Sequence, residues 1–181
     1  LNDPAIHAAL AAFVRPNARA ITPLLRVASD LLKKRTRAGE LVGYAMGSER
    51  ATQTAGALYE ALRAAEITYA LNPASFEFTG QKVRTTDQVL NDRFGTCIDL
   101  TVLYAACLEA CGLSAFIVTT ANHAFAAYTP VDASEIFGTP DTVITDPNLI
   151  ANLIESRLLI PVELTGISPG VGDNFTKAVE H

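Results

Sequence analysis

The run from Cys97 to Cys111, Cys-Ile-Asp-Leu-Thr-Val-Leu-Tyr-Ala-Ala-Cys-Leu-Glu-Ala-Cys, constrains the fold more than any other stretch of the chain. At helical spacing Ile98, Leu100, Val102, Leu103, Tyr104, Ala105, Ala106 and Leu108 leave almost no polar face, and a helix that is apolar nearly all round belongs at the centre of a domain. Both ends are marked. Thr96 is a good N-cap and Asp99 stands three residues later, as in a capping box with Asp in place of Glu or Gln, so the helix begins at Cys97. Gly112 supplies the left-handed residue that ends it.

The rest of the chain reads as material to wrap around that helix. Residues 3–14 read as a short alanine-rich helix. In residues 18–35 the apolar positions Ile21, Leu24, Leu25, Ala28, Leu31 and Leu32 recur at intervals of three and four, which predicts a second helix, ended by Gly39 and Gly43. Ser48 then caps a third, whose buried stripe is Ala51, Ala55, Leu58, Tyr59, Leu62 and Ala65, and these two helices should pack together. Residues 67–71 read as a short strand, residues 74–84 as a long loop leading toward Cys97, and Thr86-Asp87 as the cap of a short helix before the chain turns at Gly95. After Gly112, residues 114–120 and 123–128 read as two strands joined at Ala121-Asn122 in a hairpin. Residues 130–140 read as a mobile surface loop, residues 148–157 as a helix capped by Asp146, and residues 158–165 as a strand that Pro161 places at a sheet edge. The expected class is α+β, with a helical subregion over residues 1–65 and a core over residues 66–181 in which the Cys97 helix packs on a small antiparallel sheet.

Charge and composition narrow the function. The 181 residues are 49% hydrophobic and 18% charged, enough for one packed domain, and the formal net charge of −5 disfavours a phosphate-binding surface, so no nucleic acid is expected as a direct partner. The one basic run, Lys33-Lys34-Arg35-Thr36-Arg37, sits where cations complement the C-terminal end of a helix dipole. Three cysteines in a non-scaffold spacing point to a reducing compartment, and no apolar stretch approaches the ~20 residues of a membrane span, so a cytoplasmic domain is expected. The absence of Met at position 1 and the helical look of residues 174–180 read as a piece of a longer polypeptide.

Cys97 differs from Cys107 and Cys111, which lie deep in the apolar run and read as small core hydrophobes. It occupies the first turn of the helix, where unpaired backbone N–H groups and the aligned peptide dipoles favour negative charge and offer donors to an attacked carbonyl oxygen. The next chemical residue in order is His123, opening the second hairpin strand, where it could serve the thiol as a base. Taken alone it reads equally as a half-buried histidine donating a hydrogen bond.

Gly95-Thr96-Cys97-Ile98-Asp99, then Leu108-Glu109-Ala110-Cys111-Gly112-Leu113, then Asn122-His123-Ala124-Phe125 resembles the transglutaminase-like (papain-like) superfamily, in which Gly-x-Cys opens a helix and His-Ala-aromatic follows on a strand. The version it is most similar to occurs in large bacterial proteins that also carry helicase and nuclease domains. There a segment like Pro73-Ala74-Ser75-Phe76-Glu77 and Gly80-Gln81-Lys82-Val83-Arg84 precedes the cysteine. The resemblance covers roughly residues 13–165 and implies a papain-like core. It also implies a third residue, an Asp in a phrase like Val-Asp-Pro-Thr. Here Val162-Glu163-Leu164-Thr165 stands in that place, with Glu for Asp and no Pro, and Phe125 stands where many members have Trp.

The expected activity is therefore cysteine-dependent amide hydrolysis or acyl transfer, of peptidase type, on a peptide or protein amide. Cys97 is the nucleophile, His123 the base and Glu163 its orienting acid. The Cys97 N–H is the oxyanion donor, with Gln81 or Asn91 as helpers. Asp132, Asp141 and Asp146 are rival acids with simpler loop and capping roles. No metal or organic cofactor is implied. The alternatives are a non-catalytic binding or scaffold module that retains the fold, and a zinc site of Cys97, His123 and Cys107 or Cys111, which the lack of close ligand pairs disfavours.

Overall fold

A computed structural model of the chain describes residues 9–70, 82–139 and 142–180. Most of the alanine-rich first segment, residues 71–81 with Gln81, and Asp141 lie outside the described residues. The architecture is mixed α and β, as the hydrophobic periodicities imply.

Helix α1 (Thr22–Thr36), preceded by a 3-10 turn at Arg19–Ile21, packs along α2 (Gly47–Ala64) through Leu24, Ala28 and Leu32. Arg50 knits the pair together. Although only 5% exposed, its guanidinium donates to Thr36 Oγ1 (2.8 Å) and to the carbonyls of Ala38 (2.8 Å) and Glu40 (3.2 Å). Two expected boundaries move here. Arg37, left-handed at φ 65°, closes α1 ahead of Gly39, and α2 starts at Gly47 with Met46 as N-cap, so Ser48 lies inside its first turn and caps nothing.

The apolar helix α4 (Cys97–Ala110) occupies the centre, with every residue from Ile98 to Leu108 buried. Its C-terminus closes as Leu113 N–H donates to the Leu108 carbonyl (3.0 Å) and Gly112 N–H to the Glu109 carbonyl (3.0 Å), with Gly112 at φ 75°. Tyr104, fully buried, hands its hydroxyl to the Ala55 carbonyl of α2 (2.8 Å). One face of α4 meets α2; another meets a three-stranded antiparallel sheet of β3 (Ala115–Thr119), β4 (Ala124–Tyr128) and β5 (Ile160–Val162) in that order. Strand alternation sorts the sheet's two faces. Ala124, Ala126, Tyr128 and Val162 join the apolar clusters built on α2 and α4, while Phe116, Val118 and Ala127 are covered from the other side by α5 (Ala133–Phe137) and α6 (Pro147–Glu155).

Several elements depart from expectation for local reasons. The region expected as a mobile loop holds α5, capped by the Asp132 carboxylate accepting from Ser134 N–H (2.8 Å). Strand β5 is only three residues long. Leu158 and Leu159 both donate to the Leu153 carbonyl and so close α6, and the chain after Glu163 turns into a 3-10 turn at Thr165–Ile167. Pro161 lies opposite Ala127 on an edge strand, where its missing N–H costs no ladder bond. Short helix α7 (Phe175–Ala178) packs on α2 and β5, and its Ala178 carbonyl accepts from Glu163 N–H (2.9 Å).

Two short strands that precede the cysteine, β1 (Thr68–Tyr69) and β2 (Phe94–Gly95), pair in parallel, with Tyr69 opposite Gly95. Between them runs α3 (Thr86–Asp92), capped by Thr85 in a capping box with Gln88, one residue earlier than expected. The chain turns at Arg93 (φ 49°) and not at Gly95. Gly95 is buried in β2, where an added Cβ would come within 3.2 Å of Asp99 Cβ and 3.3 Å of a Leu100 methyl.

Candidate functional site

Three connections set the start of α4. Asp99 reaches back so that its Oδ2 accepts from both the N–H and the hydroxyl of Thr96 (3.0 Å each), the reach-back half of a capping box. The same carboxylate, whose side chain is fully buried, accepts from Arg84 N–H (2.7 Å) and is ion-paired with the Arg84 guanidinium (2.8 Å). That guanidinium lies 4.9 Å over the Phe94 ring. Asp99 therefore does more than cap: it ties the segment entering α3 to the helix that carries Cys97. The helical ladder begins with Leu100 N–H donating to the Thr96 carbonyl (3.0 Å), which leaves the Cys97 N–H outside it.

Cys97 is partly exposed, while Cys107 and Cys111 are 0% and 5% exposed in the core. Burial pushes both core thiols up, Cys111 to about 12, so neither ionises near neutral pH. The Cys97 side chain packs at the edge of a small apolar cluster of Ile98, Val102 and Ala124, and Ala124 is the residue immediately after His123.

His123 is anchored by the hairpin. Thr120 and His123 exchange hydrogen bonds, Thr120 N–H to the His123 carbonyl (2.8 Å) and His123 N–H to Thr120 Oγ1 (3.1 Å), and the ring stacks on Phe125 with centroids 6.4 Å apart. Its Nε2 lies 2.6 Å from Glu163 Oε2. The other carboxylate oxygen accepts from Thr165 N–H and Thr165 Oγ1, both at 2.8 Å. Burial alone would raise the Glu163 carboxyl. The bonds donated by the Thr165 N–H, His123 and the Thr165 hydroxyl, with the charge on His123, outweigh it and hold the group below its ordinary value. An ionised Glu163 makes Nε2 the protonated nitrogen of a neutral His123, so the lone pair available for taking a proton is on Nδ1.

No family model, curated protein or solved structure matches this chain.

Of the residues singled out in the sequence, His123 and Glu163 are in direct contact, and Cys97 stands beside the base of the histidine strand without a hydrogen bond to either ring nitrogen among the described residues. Of the oxyanion helpers, Asn91 is solvent-exposed in the last turn of α3 and Gln81 lies outside the described residues. The rival acids Asp132 and Asp146 cap α5 and α6. Among the described residues no group of three or more His, Cys, Asp or Glu side chains is placed to hold a metal ion, and no helix is long and apolar enough to cross a membrane.

Three residues enter the site that sequence reasoning did not assign. Thr165 clamps Glu163, and its position in Val162-Glu163-Leu164-Thr165 was visible in the motif that pointed to Glu163. Arg84 anchors Asp99 and ends the segment quoted ahead of the cysteine. Tyr69 carried no sequence signal. Its partly buried side chain lies within electrostatic reach of both Cys97 and Glu163, and its N–H donates to Ser168 Oγ (2.8 Å).

Proposed function

We propose that the protein is a cysteine-dependent acyl-transfer or amide-hydrolysing enzyme in which Cys97 attacks a carbonyl carbon and His123, oriented by Glu163, handles the proton. The observation that carries this reading is the 2.6 Å contact between His123 Nε2 and Glu163 Oε2, with the far carboxylate oxygen held twice by Thr165. A clamped carboxylate on one ring nitrogen fixes the tautomer and stabilises the imidazolium that forms when the other nitrogen takes a proton. Support also comes from the partly exposed thiol at a helix start whose N–H lies outside the helical ladder, and from the resemblance of the Cys97 and His123 motifs to the transglutaminase-like superfamily.

In the attack, sulfur bonds to the carbonyl carbon, the carbonyl π pair moves onto oxygen, and the thiol proton goes to His123 Nδ1. Collapse expels the amine, which takes that proton, and leaves a thioester on Cys97 for water or a second amine. Catalytic hydrogen bonds in unliganded enzymes are often long, so this reading needs the Cys97 sulfur and His123 Nδ1 to close to hydrogen-bond distance when substrate binds, with the His123–Glu163 contact kept. A peptide or protein amide is the substrate class, and a scaffold module is the competing reading.

p-Nitrophenyl acetate tests this. One acetyl group per chain, mapped to Cys97 as a hydroxylamine-labile thioester and slowed at least about tenfold by His123→Gln, is the expected result. Acetylation confined to other side chains, or unchanged by His123→Gln, overturns the enzyme reading.

A further inference from the structure

The backbone N–H of Cys97 stands outside the α4 ladder, where it can donate to the oxygen of a carbonyl attacked by the thiol, and Asn91, exposed on α3, adds nothing to it. Tyr69 stands on the strand beside the segment that delivers the thiol. Its strand β1 lies against β2, with Tyr69 opposite Gly95, two residues before Cys97. Ala70 N–H donates to the Gly95 carbonyl (2.9 Å) and Thr68 N–H to the Arg93 carbonyl (2.9 Å), so the backbone on both sides of Tyr69 is fixed to the segment that delivers the thiol. On its other side, the Tyr69 N–H donates to Ser168, which closes the 3-10 turn whose first residue, Thr165, clamps Glu163. Tyr69 is thus pinned between the two strands of chain that carry the nucleophile and the orienting acid. Its ring packs against the main core, its side chain keeps partial exposure, and it lies within electrostatic reach of both Cys97 and Glu163.

We propose that Tyr69 is a catalytic residue whose phenolic O–H donates a hydrogen bond to the carbonyl oxygen of the substrate as Cys97 attacks, completing an anion pocket with the Cys97 N–H. This rests on the reading of Cys97 as an acyl-accepting nucleophile. Burial, followed by Cys97 and Glu163, pushes the Tyr69 phenol up, so it remains a neutral donor throughout the physiological range. A neutral donor fixed by its backbone strengthens its bond as charge develops on the oxygen, which lowers the barrier without holding the ground state.

The test compares two reactions of Cys97 in Tyr69→Phe, which keeps the ring and removes only the hydroxyl. Acylation by p-nitrophenyl acetate puts negative charge on a carbonyl oxygen; alkylation by iodoacetamide displaces iodide and puts none there. Tyr69→Phe is expected to slow acylation of Cys97 about 100-fold while alkylation stays within about twofold of wild type. Glu163→Gln, acting through the base, is expected to slow both. If Tyr69→Phe is acylated within about twofold of wild type, the Tyr69 assignment is overturned while the nucleophile stands. Equal slowing of both reactions also overturns it, because a structural role would do that. If wild-type Cys97 is alkylated but never acylated, the acyl-transfer reading falls and Tyr69 with it.

Discussion

Glu163 Oε2 stands 2.6 Å from His123 Nε2, on a carboxylate whose other oxygen is held by both donors of Thr165. The bond crosses from one strand end to the next, since His123 directly precedes β4 and Glu163 directly follows β5. A surface His–Glu pair joined by two long flexible side chains is worth little. Here the backbone of each partner is fixed, Glu163 N–H to the Ala178 carbonyl and His123 N–H to Thr120, so the pair holds one geometry, with side chains 23% and 34% exposed.

That geometry predicts how stability depends on pH. Glu163 titrates below its ordinary 4.5, so folding favours its ionised form. Its contribution is fully present above about pH 4.5 and is lost as pH falls through the lower folded value. Glu163→Gln should destabilise the protein in urea unfolding near pH 7, and the difference from wild type should shrink as pH drops below about 4. A difference that grows in acid would contradict the shift.

Thiol selectivity follows from burial. Iodoacetamide at neutral pH should label Cys97 alone in the folded protein, because Cys107 and Cys111 are shielded and their thiols are held protonated. Peptide mapping after a short pulse checks this. Labelling of Cys107 or Cys111 as fast as Cys97 would remove the distinction on which the site depends.

Replacing the same thiols separates site from scaffold. Cys97→Ser should cost less than about 2 kcal/mol, since the side chain is partly exposed, and should abolish acylation. Cys111→Ser should cost about 1–3 kcal/mol by placing a hydroxyl in the apolar core. Denaturant midpoints with the reverse order would make Cys97 a structural residue.

Asp99 serves two masters, the α4 start and Arg84. Asp99→Asn keeps the shape but weakens the bonds to Thr96 N–H and the Arg84 guanidinium, with an expected loss of about 1–3 kcal/mol. Amide exchange at Arg84 should rise in the variant. Unchanged protection there would show that the carboxylate does not hold the segment.

The parts of this structure that sequence made legible are those whose signals are local. Helix α4 declared both ends, through Thr96 with Asp99 and through Gly112, and its lack of a polar face placed it at the centre. Glu163 was visible because a lone carboxylate in an apolar stretch needs a partner. What escaped depended on distant partners or on rare backbone. Residues 67–71 read as a strand and β1 lies there, but its partner β2 is only two residues long, too short to carry alternation, and the pairing joins positions far apart in the chain. The turns at Arg37 and Arg93 put non-glycine residues at positive φ, so glycine positions misplaced both. Tyr69 is tied to the segments that carry Cys97 and Glu163 by that pairing and by its bond to Ser168, contacts between residues far apart in the chain.

The most direct measurement is a double-mutant cycle on the rate of Cys97 alkylation near neutral pH, in wild type, His123→Gln, Glu163→Gln and the double variant. If Glu163 acts on Cys97 only through His123, loss of the histidine slows the reaction at least about tenfold, loss of Glu163 slows it several-fold, and the double variant is no slower than His123→Gln alone. Rates unchanged by His123→Gln, or two losses that simply multiply in the double variant, would contradict a Cys97–His123–Glu163 unit.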